Sequence, residues 1–199
     1  VSIAAAQEDI NFTTLTTKEG LSSNNINAIL KDRFGFMWFA TDDGLDRFDG
    51  ANFKVYRNKP ADSASLQANE ILSLHEDKEG HLWVGTSGGS LRLYNRKKDA
   101  FVNFPHRPAE GAIRNNVVMS ICSDAQGRLW IGHFDGINIM DKKTHRISDF
   151  KPGNGPRFKK TCNALFEDSK KRMWIGTPDG LFLYHKETNS LTPFRHNAS

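Results

Sequence analysis

Four tryptophans recur along this chain at nearly even spacing, and each one carries the same short motif. They are Trp38, Trp83, Trp130 and Trp174, separated by 45, 47 and 44 residues. In each copy an aspartate stands six residues before the tryptophan, and a glycine stands six residues after it. A unit of this size cannot bury its apolar face alone and must stack on its siblings. The chain is therefore a tandem array of four repeats.

Each repeat is predicted to contain four short strands. The first precedes the aspartate, the second is centred on the tryptophan, the third follows the glycine, and the fourth shows alternating apolar residues. Four strands in about 45 residues without a helical period are typical of a β-propeller blade. The predicted fold class is all-β, with four-stranded antiparallel blades at 21–58, 66–107, 114–152 and 157–196.

The repeated residues are interpreted as structural. Large aromatic residues at identical repeat positions serve a shared core, so we expect the tryptophans to pack between neighbouring blades. The aspartates fit the first position of a type I turn; they are Asp32, Asp77, Asp124 and Asp168. One carboxylate per blade is too dispersed for calcium, which needs six or more converging oxygens. No metal or other cofactor is predicted.

Three positions depart from the repeat. Lys171 stands where the other copies have glycine three residues before the tryptophan, and His133 stands where they have threonine. Ser90 is inserted after Gly89 and shifts the third strand of its blade by one residue. Each departure lies at a turn or bulge position, where one residue can be absorbed without loss of the fold.

The run DRFGFMWFATDDGLDRFD, from Asp32 to Asp49, and its three echoes resemble the two-component regulator propeller family, whose repeats end in D-x-x-G-x-[LM]-W-[IV]-G-T-x-x-G-[LI]. The resemblance extends over residues 11–196. It implies part of a ring of about seven blades. It also implies the extracytoplasmic sensor region of a membrane-bound histidine kinase, often a hybrid kinase with a phosphorelay. Such receptors detect saccharides released from polysaccharides and control transcription.

The first twenty residues carry two expectations. Residues 1–6 look like the remnant of a secretory signal, because Ala4, Ala5 and Ala6 offer small residues before a cleavage site at Gln7; a disordered alanine-containing leader is the alternative. Residues 7–20 show the spacing of an outer strand, at Phe12 and Leu15, that would close a full ring. A periplasmic location with the membrane anchor outside this chain is therefore expected.

Charge and cysteine content limit the partners. The net charge of +4 comes without a dense basic cluster, which argues against nucleic-acid binding. The open faces of a partial ring would expose apolar surface, which predicts self-association or receptor dimerisation. Cys122 and Cys162 are predicted to be small buried apolar residues without a disulfide, since their strand positions differ by about 13 Å, too far for a disulfide.

Ligand-binding residues are expected on the long loops at 57–68, 105–116 and 151–161 and on one short turn. Asparagine and arginine side chains suit sugar hydroxyls and anions. The candidates are Arg57, Arg114, Asn115, Asn116, Lys159, Lys160, His133 and Phe134. Phe134 could stack on a sugar face; the alternative is that His133 fills the space that threonine occupies elsewhere and that the loops are plain solvated surface.

Two other functions stay open. A propeller lyase or hydrolase acting on a sugar or cyclic peptide would need His75, His106 and His133 to converge with Glu110 or Asp135 within hydrogen-bonding reach. A protein-interaction scaffold would use the rim or the outer surface and would need no small-molecule pocket. No catalytic residue is predicted in this segment.

Overall fold

The computed structural model describes residues 12–107, 109, 111–153 and 155–194. These residues form sixteen strands in four four-stranded antiparallel sheets, with no helix among them. Blade 1 has β1 (Ile26–Lys31), β2 (Met37–Thr41), β3 (Gly44–Phe48) and β4 (Phe53–Tyr56). Blade 2 has β5 (Ile71–Glu76), β6 (Leu82–Thr86), β7 (Leu91–Asn95) and β8 (Ala100–Phe104). Blade 3 has β9 (Val118–Ser123), β10 (Arg128–His133), β11 (Gly136–Asp141) and β12 (Ile147–Asp149). Blade 4 has β13 (Ala164–Glu167), β14 (Met173–Thr177), β15 (Gly180–His185) and β16 (Ser190–Phe194).

The blades follow one another in chain order. Each sheet is a meander in which successive strands pair, and the first strands lie side by side, with β1 against β5, β5 against β9 and β9 against β13. The all-β fold with four-stranded antiparallel blades is confirmed.

Small residues two positions after the tryptophan let neighbouring blades approach closely. A Cβ on Gly85 would lie 2.7 Å from Val118 O of the next blade and 2.2 Å from Ser73 Oγ of its own. One on Gly132 would lie 2.7 Å from Cys162 Sγ of the next blade and 2.3 Å from Ser120 Oγ of its own. Both serine hydroxyls donate to a backbone carbonyl of the next blade, at 3.3 Å in each case. A larger residue in the second strand would displace these contacts between blades.

Three apolar seams join the four blades. Trp38, Trp83 and Trp130 are at most 1% exposed and pack into the seams between blades 1 and 2, 2 and 3, and 3 and 4. Trp38 and Trp130 contact a tyrosine ring of the following blade, Tyr94 at 5.0 Å and Tyr184 at 5.5 Å between centroids. Trp83 contacts Phe104 of its own blade at 5.6 Å and packs on aliphatic residues of blade 3. The prediction that these tryptophans pack between blades is confirmed for the three seams.

Each repeat aspartate joins its turn to its tryptophan. In blade 1, Asp32 Oδ1 accepts hydrogen bonds from the backbone N of Phe34 and Phe36, and Oδ2 accepts one from Trp38 Nε1 at 2.8 Å. The equivalent indole bonds in blades 2, 3 and 4 measure 3.0, 2.8 and 2.9 Å. Burial would raise the pKa of Asp32, but these bonds and the Arg96 guanidinium outweigh it and hold the pKa below its usual value. The expected turn role is present, and the indole bond explains the fixed six-residue spacing.

Blade 4 ends the array with an uncovered apolar face. Trp174 is only half-buried and packs on Phe194, while Phe166 and Leu181 are 62% and 40% exposed. Together with Ala164 and Gly176 they line a shallow apolar depression of about 380 Å³. The corresponding face of blades 1 to 3 is covered by the next blade, so this surface has the shape of a further seam.

The expected outer strand at 7–20 is not formed in its described part, residues 12–20. Phe12 is 91% exposed, and residues 17–20 form a turn closed by Glu19, whose carboxylate accepts from Thr16 N at 2.7 Å. The physical reason is that each of the four third strands already pairs with its own fourth strand. Residues 7–11 and the expected signal remnant at 1–6 lie outside the described residues.

Neither cysteine forms a disulfide, as predicted, but Cys122 is only half-buried. Cys162 is buried in the seam between blades 3 and 4, and burial raises the pKa of its thiol to about 12. Across the described residues, no helix offers the length and apolar character that a membrane crossing requires.

Candidate functional site: a polar rim with an open cavity

One end of the blades carries the long connecting segments and the short turns between second and third strands. We call this end the rim; its turns are 41–44, 86–90, 133–136 and 177–180, and its connecting segments include the described residues of 57–70, 105–117 and 150–163. Hydrogen bonds join the two kinds of loop, such as Ser87 N to Glu70 O at 2.9 Å. The rim is therefore a fixed surface, as loops that carry binding residues on a rigid scaffold often are.

A buried residue in each third strand faces the connecting segment that enters its blade. This anchor position pairs across the sheet with the residue that follows the tryptophan, and it holds Asp46, Arg92, Asn138 and Phe182 in blades 1 to 4. In blade 1, Asp46 accepts from the N and Oγ of Ser22 at 2.8 and 2.9 Å. In blade 4, Phe182 meets Phe158 edge-on at 5.9 Å. Ser22 and Phe158 both stand sixteen residues before their tryptophan.

The anchor of blade 3 is part of a closed polar network. Asn138 Oδ1 accepts from the backbone N of Arg114 at 2.9 Å and pairs with His133 Nε2 at 3.0 Å. Asn138 Nδ2 donates to Asp149 Oδ1 at 3.0 Å, and Arg114 donates to both oxygens of Asp149 at 3.0 and 2.8 Å. Arg114, predicted as a ligand-binding residue, thus holds its own connecting segment against the sheet.

His133 accepts the same turn hydrogen bond that threonine accepts in blade 1. Its Nδ1 accepts from Asp135 N at 3.1 Å, as Thr41 Oγ1 accepts from Asp43 N at 3.1 Å. Because Nδ1 accepts, Nε2 carries the proton and donates to Asn138. The imidazole is fully buried, and this burial lowers the pKa of His133 to about 4, so the ring is neutral at pH 7. The geometry gives no support to a direct ligand contact by His133, because both ring nitrogens are used inside the blade.

Phe134, on the same turn, is presented to solvent. Its side chain is 50% exposed, while its carbonyl accepts from Thr161 Oγ1 at 3.0 Å. Arg157 fixes the next residue by donating to the backbone oxygen and the carboxylate of Asp135, both at 2.6 Å. An aromatic ring held on a braced turn is suited to stacking, and its ligand contact stays a prediction.

The remaining candidates have mixed surroundings. Arg57 is tied to the Asp43 carboxylate at 3.0 Å, and Lys160 pairs with Asp179. Asn115 Oδ1 accepts from Val117 N at 2.9 Å and shapes its loop. Lys159 is exposed, and Asn116 lies at the wall of a cavity in blade 2. Most of the predicted cations therefore brace the rim, and a ligand role for any of them stays a prediction.

The blade 2 cavity is the feature that sequence reasoning missed. It has a volume of about 470 Å³ and is lined by Gln67, Gly88, Gly89, Ser90, Arg92, Asn103, Pro105, His106 and Asn116. The anchor residue Arg92 is 2% exposed, and no side chain or backbone atom of the described residues accepts from its Nε or Nη1. The available signal was an arginine at a position that holds Asp, Asn or Phe in the sibling blades, beside the inserted Ser90.

The histidines required by the lyase or hydrolase alternative have separate partners. His75 Nε2 pairs with Ser123 Oγ at 2.8 Å, and His106 Nδ1 donates to the carbonyl of Ile113 at 3.0 Å. Neither ring, nor that of His133, hydrogen bonds a carboxylate among the described residues. Asp135 is held by Arg157. Glu110, the other expected partner, lies outside the described residues.

A cluster of Asp77, Glu79 and His81 at the opposite end has ligand atoms within 4.8 Å of one another. Lys142 of blade 3 occupies the same place, with its ammonium 3.0 Å from Asp77 Oδ2 and 2.5 Å from Glu79 Oε2. The cluster therefore serves as an ion pair between blades. Arg96 plays the matching role at Asp32, at 2.8 Å, between blades 1 and 2.

These observations define a class: an arc of β-propeller blades with a polar rim built from braced loops. The repeat model of the two-component regulator propeller family matches once in every blade, at residues 20–43, 65–88, 112–135 and 160–179. The chain belongs to this family, and the resemblance inferred from the repeats is confirmed.

Known relatives agree with this assignment. The extracellular domain of a hybrid two-component system from B. thetaiotaomicron superposes with a TM-score of 0.81 at 26% identity, over 92% of this chain and 26% of that chain. Histidine kinase P4 of Formosa agariphila is 41% identical over 66 residues, which are 33% of this chain and 5% of that protein. This chain therefore spans about a quarter of the solved extracellular domain and far less of the kinase.

The fold is also shared with an enzyme. Virginiamycin B lyase from Staphylococcus aureus superposes with a TM-score of 0.63 over 87% of this chain and 56% of that chain, at 11% identity. At this identity the likeness shows the propeller fold alone.

Proposed function

We propose that these blades form part of the extracytoplasmic, ligand-sensing propeller of a membrane-bound two-component histidine kinase. The carrying observation is one family repeat in every blade, together with superposition on the extracellular domain of a hybrid two-component system. In this proposal the propeller binds a saccharide released from a polysaccharide, in the periplasm, and the kinase relays the signal to transcription. The blades themselves act by binding and carry out no chemistry.

The rim supports the saccharide part of the proposal. Phe134 offers an exposed ring on a turn braced by Arg157 and Thr161. Polar loop residues, including Asn116 and Lys159, lie on the same end of the blades. Apolar ring faces combined with amide and cationic donors are the groups that bind sugars, which present C–H faces and hydroxyls together.

The uncovered face of blade 4 supports the expected self-association. Phe166, Leu181 and Phe194 would be buried by an additional blade or by a second copy of the receptor. In the proposed receptor, a ligand changes how two chains sit together, and that change alters kinase activity.

Calorimetric titration of the intact protein with a panel of neutral and acidic oligosaccharides tests the function. We expect one saccharide class to bind and Phe134→Ala to raise its Kd about fivefold, since stacking contributes about 1 kcal/mol. Phe34→Ala, at another exposed phenylalanine on the β1–β2 turn at the opposite end of the blades, is the matched control and should leave the Kd unchanged. Binding of a different ligand class, with no saccharide bound, would overturn the saccharide assignment; turnover of a bound sugar or cyclic peptide would favour the lyase alternative instead.

A further inference from the structure

We propose that the blade 2 cavity binds an oxyanion group, a carboxylate or a sulfate, of a hydroxylated ligand through Arg92. The inference depends on the proposed sensing function only for the choice of sugar probes. The anchor residues of blades 1, 3 and 4 contact the residue sixteen positions before their tryptophan, whereas in blade 2 that residue, Gln67, is exposed.

Arg92 is a buried cation with unbonded hydrogen-bond donors. Its side chain lies between Val84 and Asn103 across the sheet, and its Nε and Nη1 are not bonded by the described residues. No acidic residue is among the described residues that line the cavity. Burial lowers the pKa of Arg92 to about 10, so the guanidinium remains charged at neutral pH. A buried charge without a partner is costly, and a bound oxyanion would supply the missing partner in the bidentate geometry that guanidinium favours.

The cavity wall adds polar groups that complement a hydroxylated ligand. Ser90 Oγ and Asn103 Oδ1 are buried and, like the guanidinium, have no partner within the described part of the chain. The serine hydroxyl can donate to the anion, and the amide oxygen can accept a ligand hydroxyl. Uronic acids and sulfated sugars carry both groups together, and a volume of about 470 Å³ lies within the range of small-ligand sites.

The turn beside Arg92 is rigid and leaves space at its tip. Gly88 and Ser90 both donate their backbone N–H to the carbonyl of Asn116, at 2.9 and 2.8 Å. A Cβ built on Gly88 would meet no atom within 4 Å. With the insertion of Ser90, which adopts a φ of 66°, this turn is one residue longer than those of the sibling blades.

Thermal unfolding of the intact protein at constant ionic strength tests the proposal, with D-glucuronate, inorganic sulfate and D-glucose as probes. At a concentration of 100 Kd we expect glucuronate or sulfate to raise Tm by about 5 to 10 °C, and glucose to have no such effect. Arg92→Leu should abolish the rise while unfolding at no lower Tm than the unliganded wild type, because it removes an unpaired buried charge. Lys98→Gln, an equal loss of charge at an exposed site on the opposite end of blade 2, should behave as the wild type.

The outcomes distinguish a carboxylate site from a general oxyanion site, and they distinguish failure of the Arg92 site from failure of the proposed sensing function. A rise with glucuronate alone identifies a carboxylate site, and a rise with sulfate as well identifies a general oxyanion site. Equal rises in wild type and Arg92→Leu, or no rise with either anion, would overturn the Arg92 site even where neutral oligosaccharides bind the rim. If Arg92→Leu does not fold, Arg92→Lys, which keeps the charge and loses the planar fork, should raise the anion Kd about tenfold; an unchanged Kd would equally reject the site.

Discussion

Blades 2 and 3 place a polar residue at the same buried position, yet the two residues have opposite surroundings. Asn138 in blade 3 hydrogen bonds to Arg114, His133 and Asp149, which fastens a connecting segment to the sheet. Arg92 in blade 2 faces a cavity, and its Nε and Nη1 donate to no acceptor among the described residues. One repeat position therefore serves as a structural clamp in one blade and as a candidate binding group in the next. Whether a buried polar residue is structural or available to bind a ligand therefore depends more on its hydrogen-bond partners than on its residue type.

The same distinction applies along the rim. Arg57 and Arg157 form ion pairs with aspartates of neighbouring turns, which neutralise their charge within the protein. These pairs hold the loops in place, and such exposed pairs contribute little stability individually. Arg92 differs from these arginines because it is buried and its Nε and Nη1 have no acceptor among the described residues.

Among the substitutions that test this difference between the two anchor positions, Asn138→Leu should have the largest effect. Removing the amide leaves the buried His133 and part of the Asp149 carboxylate without their partner, and it releases the backbone N–H of Arg114. We expect a loss of about 3 kcal/mol in the free energy of unfolding, measured by urea denaturation at pH 7.5. Arg92→Leu is the matched change at the other anchor and should cause no loss. Equal losses from the two substitutions would show that both anchors are structural.

A smaller effect should follow pH through His133. The folded-state pKa is lowered to about 4, whereas an unfolded histidine titrates near 6.5, so the unfolded chain binds the extra proton. Stability is therefore complete above about pH 6.5 and falls as pH drops toward 4, by about 2 kcal/mol between pH 7.5 and pH 5. His133→Thr restores the residue of the sibling blades and should remove this part of the fall, in urea titrations at both pH values.

His75 also contributes to the pH dependence of stability in that experiment. Burial lowers its pKa as well, with the same sign, so some acid destabilisation should persist in His133→Thr. The repeat aspartates do not enter this window, since their pKa values are lowered and an unfolded aspartate titrates near 3.9. An identical pH dependence in wild type and His133→Thr would mean that the pKa of His133 is not lowered in the folded protein.

The spacing of the tryptophans, aspartates and glycines was sufficient to predict the blades, because these residues repeat with the backbone that they stabilise. The anchor network was not predictable in this way. Asn138 and Asp149 are joined only when the third and fourth strands pair, and Arg114 reaches them from a connecting segment 24 residues earlier in the chain. His133 was singled out correctly as unusual, but its direction, into the blade and away from solvent, depends on that network. Phe134 kept the exposure that its position on a turn indicated.

The smallest expected effect concerns the turn at which blade 4 departs from its siblings. Lys171 adopts a φ of 62°, in the left-handed region, where Gly35, Gly80 and Gly127 have φ values of 90°, 86° and 79°. Its side chain is exposed, and the turn hydrogen bond from Lys171 N to Asp168 O, at 2.9 Å, is made by the backbone. Lys171→Gly should therefore stabilise the protein by about 0.5 to 1 kcal/mol in urea denaturation, since glycine adopts this conformation without strain. Gly127→Lys is the reverse change in blade 3, where a Cβ would meet no atom within 4 Å, and it should cost a similar amount. A stabilised Gly127→Lys variant would mean that the lysine side chain, rather than backbone conformation, sets the energy of this turn.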